Sequence, residues 1–239
     1  MTNNRALKLL MVLATLWLGG PAIALAQPAN ESLCGPLKSG PGQYGPYDFR
    51  IDKDKLPIVL TAHFTPAVES LTRGNTATSP GPDIDYTLRA IPNHPNALFS
   101  MMRLAEREKT PKPTGARYTV ECYFDRAMRF RPDDHVVRML YTTLLISNKR
   151  KPEAMQQLEK VLTSANDNAF TYQNVGLLYF DLGEYPLALI QAHKAIELGL
   201  NRQDLREKLQ SAGQWKDAVT NADSVSTEPA AAASNPAKP

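Results

Sequence analysis

The stretch NAFTYQNVGLLYFDLGEYPLALIQAHKAIELGL, Asn168 to Leu200, decides the fold, because its small and aromatic residues are spaced as a pair of packed helices requires. It also has a counterpart upstream. Thr142, Leu145, Ala154 and Val161 lie 34 positions before Gly176, Tyr179, Ala188 and Ala195, so two adjacent segments share one period. Both segments set a proline where a second helix begins, in Lys151-Pro152 and Tyr185-Pro186, a position at which the missing N–H would have no helical partner anyway. Helical pairs repeated in this way bury their apolar faces against one another. An elongated all-helical domain is the expectation.

Tyr172, Val175-Gly176, Tyr179, Gly183-x-Tyr185, Ala188 and Ala195 stand at the offsets of a tetratricopeptide repeat (TPR). The chain resembles that family from Pro95 to Leu200, and more loosely from Phe64 to Pro92. Ala192 replaces the usual bulky aromatic and Leu200 the closing proline. The resemblance implies an all-α, TPR-like α-solenoid of about three helical hairpins plus a C-terminal capping helix, with an irregular N-terminal arm. It places Gly176 and Ala188 where two antiparallel helices cross most closely, and Ala195 where the next hairpin docks; larger side chains there would force the backbones apart. It further implies that the first helix of each hairpin lines an inner, partner-binding face. The residues so placed are Asn96, Phe99 and Arg103, then Val136, Met139 and Thr143, then Phe170, Gln173, Asn174 and Leu177. In some chaperone-binding members, basic and asparagine side chains on this face grip a peptide C-terminal carboxylate. Here Phe99, Leu140 and Phe170 occupy three of those positions, leaving Asn174 and Arg103, so an extended segment or helix with apolar anchors fits better.

Outward from the clean repeats, IPNHPNAL at 91–98 and RFRPDDHVV at 129–137 look like junctions between units, in which a proline closes one hairpin. Pro92 and Pro132 are 40 positions apart, against a family period of about 34. The surplus falls in KTPKPTG, 109–115, between expected helices 97–107 and 116–130, and reads as an enlarged, tolerated surface turn. Further upstream, Thr65-Pro66 opens a helix through Val68 and Leu71 to Gly74, followed by a loop over 75–82 and a return helix over 83–91. Lys53 to Phe64 fits a helix or a strand, and its helical context favours helix. Glu31 to Tyr47 has too many Gly and Pro residues for either. At the other end, Asp204 to Ser211, with Leu205 and Leu209 inward and Trp215 beyond, reads as a cap.

The N-terminus carries an address. Arg5 and Lys8 precede an apolar run from Leu9 to Leu18, Gly19-Gly20-Pro21 breaks it, and Ala24-Leu25-Ala26 precedes Gln27, the pattern of a signal peptide cleaved after Ala26. The run is short for about 30 Å of hydrocarbon, and no later segment is apolar enough for a stable membrane span. The expected organisation is a signal peptide at 1–26, an arm at 27–63, a helical repeat domain at 64–218 and a disordered tail rich in Ala, Ser, Pro and Asn at 219–239. Loss of Arg5 and Lys8 leaves 25 of the 27 Lys and Arg against 24 Asp and Glu. Such a neutral periplasmic chain is unsuited to nucleic acid or an anionic membrane surface. Cys34 and Cys122, in an oxidising compartment and without CxxC or Cys/His ligand spacing, are expected to form a disulfide and to hold no metal. CGPL (34–37), HFTPAVE (63–69), DIDYTLRAIPNH (83–94) and ECYFDRA (121–127) together also look like a family of exported proteobacterial TPR proteins often labelled ABC transporter components. A permease needs spanning helices, and the mature chain has none.

His63, Glu69, Asp83, Asp85 and His94 gather in the first unit and its junction, where they could hold a cation or work as an acid/base pair in a small metal-dependent hydrolase. Each also has a structural role open to it: carboxylates suit helix N-termini, and a junction Asn-His bonds turn backbone. With no HExxH or GxSxG spacing, the sequence favours a non-catalytic scaffold without cofactors. It would bind a protein or peptide partner in cell-envelope assembly, secretion or transport.

Overall fold

The computed structural model describes residues 33–38, 40 and 42–218; the signal peptide expected at 1–26, the first residues of the expected arm and the tail expected at 219–239 lie outside the described residues. Among the described residues every regular element is a helix: α1 (Pro57–His63), α2 (Pro66–Glu69), α3 (Gly81–Ala90), α4 (Pro95–Glu108), α5 (Val120–Phe130), α6 (His135–Ser147), α7 (Lys151–Leu162), α8 (Ala169–Asp181), α9 (Tyr185–Glu197) and α10 (Asp204–Ser211). Proline in the first turn opens α4, α7 and α9. The turns after α6 and α8 close in the same way, with left-handed backbone at Lys149 (φ 60°) and at Gly183 (φ 75°), positions one 34-residue period apart.

Helices α6 and α7 pack as one pair and α8 and α9 as another, with α6 against both α4 and α8, and α10 against α8 and α9. Two apolar cores result. One gathers Ile84, Leu88, Leu98, Met101, Leu104, Phe124 and Val137; the other gathers Leu158, Val161, Val175, Tyr179, Ala188, Leu205 and Leu209. Gly176 lies at the tightest point of the second. A Cβ there would overlap Leu205 Cδ2 and stand 3.1 Å from Gln191 Cβ and 3.3 Å from the Ala188 carbonyl. Gly176→Leu is therefore expected to lower stability by about 1 to 3 kcal/mol, against less than about 0.5 for Lys160→Ala on an exposed face. Urea denaturation checks this, and equal effects would contradict the helix register.

The first unit departs from the sequence reading at α2 and at the start of α5. Lys53 to Phe64 is settled as turn and helix, with α1 occupying the end of the expected irregular arm. α2 is one turn instead of a helix to Gly74: Leu71 is left-handed (φ 62°), and Thr72 and Arg73 N–H groups return to the Ala67 carbonyl. α5 starts at Val120 instead of Ala116, because the Arg117 N–H donates to Asp85 at 3.0 Å and Thr119 caps the helix by accepting from Cys122 N–H. The 109–115 turn lies on the surface, five of its seven residues being exposed, and is anchored toward its end. Pro113 is buried, Gly81 leaves no room for a Cβ against the Thr114 carbonyl, and Gly115 (φ 79°) faces Pro82.

The arm lies back across the helices. Cys34 and Cys122 are joined, with Cα atoms 4.9 Å apart and 88 positions between them in sequence. One turn after Cys122, Arg126 is fully buried and among the described residues has no carboxylate partner; its Nη groups donate to the carbonyls of Cys34, Pro36 and Leu37, while its buried Nε has no partner there. Arg129 donates to the Gly35 carbonyl at 2.9 Å, and the Tyr118 ring lies 4.5 Å from Arg126 Cζ. Burial drives the Arg126 pKa down, so the arm carbonyls supply the solvation the side chain loses. Further on, Tyr47 N–H donates to the Ala90 carbonyl, and Leu56, Val59 and Ile91 close a third small core with Tyr44, Tyr47 and Phe49.

Candidate functional site

Three helices start alike. His94 caps α4 by accepting from Ala97 N–H at 3.2 Å, Asp134 caps α6 by accepting from Val136 and Val137 at 3.1 and 3.2 Å, and Asn168 caps α8 by accepting from Thr171 at 3.1 Å. Each cap satisfies a backbone donor that the first helical turn leaves open. The third residue after each cap, Ala97, Val137 or Thr171, is buried. That fixes the helix rotation and turns the second residue, Asn96, Val136 or Phe170, outward.

The junctions bind these starts to the arm. Asn93 donates to Asp48 at 2.7 Å and to Asp134 at 2.9 Å, while Arg50 and Arg131 each reach Asp48 at 3.0 Å. Burial alone would raise the Asp48 pKa; the hydrogen bonds from Arg50 and Asn93 outweigh it and hold the carboxyl at about 2. Asp48 thereby joins the arm to the turns that open α4 and α6.

Of the ten face residues expected from sequence, most lie where a partner could reach them. Phe99, Val136 and Phe170 are 45%, 47% and 58% exposed. Asn174 is exposed, and Asn96 is exposed and donates to Glu69 at 2.7 Å. Arg103, also exposed, holds its guanidinium 6.0 Å from the Phe99 ring. Met139 and Leu177 are half-buried against the second core, and the Thr143 hydroxyl donates to the Met139 carbonyl at 3.2 Å. Gln173 stands apart. It is only 3% exposed and donates to Asp204 of α10, so the capping helix covers a position that the family offsets put on the open face.

No protein-family model and no curated protein matches this chain.

The five polar residues of the first unit do not converge. His63 Nδ1 meets Asp83 Oδ1 at 2.9 Å, with the His63 ring stacked 4.0 Å from Tyr86. Asp83 is buried, which opposes its ionisation, yet the Thr76 hydroxyl, His63 and the N–H groups of Asn75 and Thr76 outweigh burial and lower its pKa. Its work is to close the 74–76 turn. Glu69 faces Asn96; Asp85 accepts from Arg89, the Arg117 N–H and the Tyr123 hydroxyl. His94 sits between Phe49 and Phe64, ring centroids 4.4 and 4.8 Å away. Among the described residues no group of three His, Cys, Asp or Glu side chains is placed to hold a metal ion. The pair His63 and Asp83 is all that remains of the expected cluster.

Sequence reasoning passed over Arg126 and Asp48. A signal for the first was present: Cys122 and Arg126 are one turn apart on α5, so whatever reaches the cysteine also meets the arginine.

Proposed function

We propose that this chain is a non-catalytic, TPR-like scaffold of the periplasm that binds an extended protein or peptide segment along α4, α6 and α8 in cell-envelope assembly, secretion or transport. The observation that carries the reading is the row of exposed Phe99, Val136 and Phe170 on three helices that start with equivalent caps, α6 packing against both of its neighbours. Apolar side chains left open on neighbouring helices would serve as anchors for a partner. The 34-residue spacing and the matching turns at Lys149 and Gly183 support a repeat architecture of this kind. Export is supported by the Cys34–Cys122 bond, which belongs to an oxidising compartment, and among the described residues no helix is long and apolar enough to cross a membrane.

Arg103 gives the test. Its side chain has no hydrogen bond or ion pair among the described residues. Arg103→Glu should therefore leave helicity and melting temperature almost unchanged while abolishing capture of the envelope partner by the immobilised protein. Full capture by the variant would remove this face from the account.

A further inference from the structure

The arm and α3 enclose a second site, independent of the α4, α6 and α8 face. Where they meet lies a cleft of about 330 Å³, lined by Gln43, Tyr44, Tyr86, Arg89 and Arg117 among others. Two arginines therefore line one small space, and their like charges repel each other. A bound anion removes that repulsion.

The Arg117 side chain is exposed, whereas Arg89 is fixed in place. The Arg89 side chain is only 15% exposed and is held on several sides: Nε donates to Asp85 Oδ2 at 2.9 Å, the Tyr86 ring lies 5.3 Å from Cζ, and Gln43 Nε2 donates to the Arg89 carbonyl at 3.2 Å. Asp85 is engaged on both oxygens. Its Oδ1 already accepts from the Arg117 N–H at 3.0 Å and from the Tyr123 hydroxyl. The carboxylate behind the cleft thus orients Arg89 through one edge and fixes Arg117 through its backbone. The Nη atoms of Arg89 and the whole guanidinium of Arg117 have no acceptor among the described residues.

We propose that this cleft binds a small oxyanion, a carboxylate or phosphate group carried on a small polar molecule, with Arg89 and Arg117 as its ligands. A guanidinium presents parallel N–H groups that match two oxygens of either group, which a lysine ammonium cannot do. Tyr44 and Tyr86 supply aromatic walls with polar edges, the kind of surface that accepts a sugar-like carrier.

The test is calorimetric titration of the mature protein at low salt with galacturonate, glucose 6-phosphate, inorganic phosphate and glucose. Binding by at least one of the three anions at one site per chain, with none by glucose, is expected; whether galacturonate or the phosphates bind separates the two sources of the charge. Arg117→Ala should weaken that binding about tenfold or more, the loss of one charged hydrogen-bonding partner. This variant leaves the fold intact, because the Asp85 bond uses the Arg117 backbone and not its side chain. Arg89→Lys keeps the charge and a donor for Asp85 but loses the fork, and should weaken binding as well. Absence of binding by all three anions at millimolar concentration overturns the proposal, as does binding that Arg117→Ala leaves unchanged.

Discussion

Reduction of the Cys34–Cys122 bond, or Cys34→Ser, should lower stability by as much as about 4 to 5 kcal/mol, the chain-entropy value for a closure of 88 residues. That is a large fraction of the stability of an ordinary domain. The arm would lose its covalent attachment but keep its hydrogen bonds to Arg126 and Arg129, so part of the loss should be offset by contacts that survive in the folded state. Helix packing of α4 to α9 does not pass through the arm, and helicity at low temperature should persist. The measurements are thiol titration of unreduced, unfolded protein, which should find none, and limited proteolysis, which should cut the arm after reduction and spare it before. Two titratable thiols, or an arm equally resistant in both states, would contradict this account of how the arm is held.

Acidification should weaken the fold before the buried carboxyls of Asp48 and Asp83 are protonated. Burial between Phe49 and Phe64 holds His94 down from 6.5 to about 4. Between those two values the unfolded chain binds a proton at this position that the folded chain excludes. Stability from this group is therefore complete above pH 6.5 and falls as the pH drops toward 4, by about 3 kcal/mol across the window. The depressed carboxyls act elsewhere: Asp48 and Asp83 contribute fully above 3.8, and their contribution is lost only below it. His94→Asn separates the effects, since Asn168 shows that asparagine can cap an equivalent helix. The variant should be less stable at pH 7.5, from the space its smaller side chain leaves, yet lose much less between pH 7.5 and 4.5. Urea denaturation at the two pH values measures this; an unchanged difference between them would show that His94 does not govern the acid response.

Much of the helical order was legible because its signals are local. Pro152, Pro186 and the caps before α4, α6 and α8 each act within one turn, and Gly176 and Ala188 report a close crossing through their size alone. The cysteine pair was legible from chemistry and compartment, without knowledge of distance. What stayed hidden depends on residues far apart in sequence. Nothing near Ala116 announces that Asp85 will capture the Arg117 N–H and delay α5. Gln173 has the offset of a groove residue, and only the packing of α10 onto α8 removes it from the face. The 109–115 segment has the composition of a free loop and is mostly exposed; its anchoring at Pro113 and at the N-terminus of α3, where Gly81 admits the Thr114 carbonyl, could not be read from it. Which turn each polar residue of the first unit holds stayed hidden for the same reason. These residues share a stretch of sequence, but His63 and Asp83 serve one turn, Asp85 another, and His94 a helix start.

The central claim is that one face, formed by α4, α6 and α8, holds the partner. Site-specific incorporation of a photoreactive phenylalanine analogue tests it most directly, at positions 99, 136 and 170 and, as controls, at the exposed apolar positions 58 and 190 on α1 and α9. Irradiation in cells should give the same cross-linked species from 99, 136 and 170 and none from 58 or 190. The same species from all five positions, or from 58 and 190 alone, would contradict it.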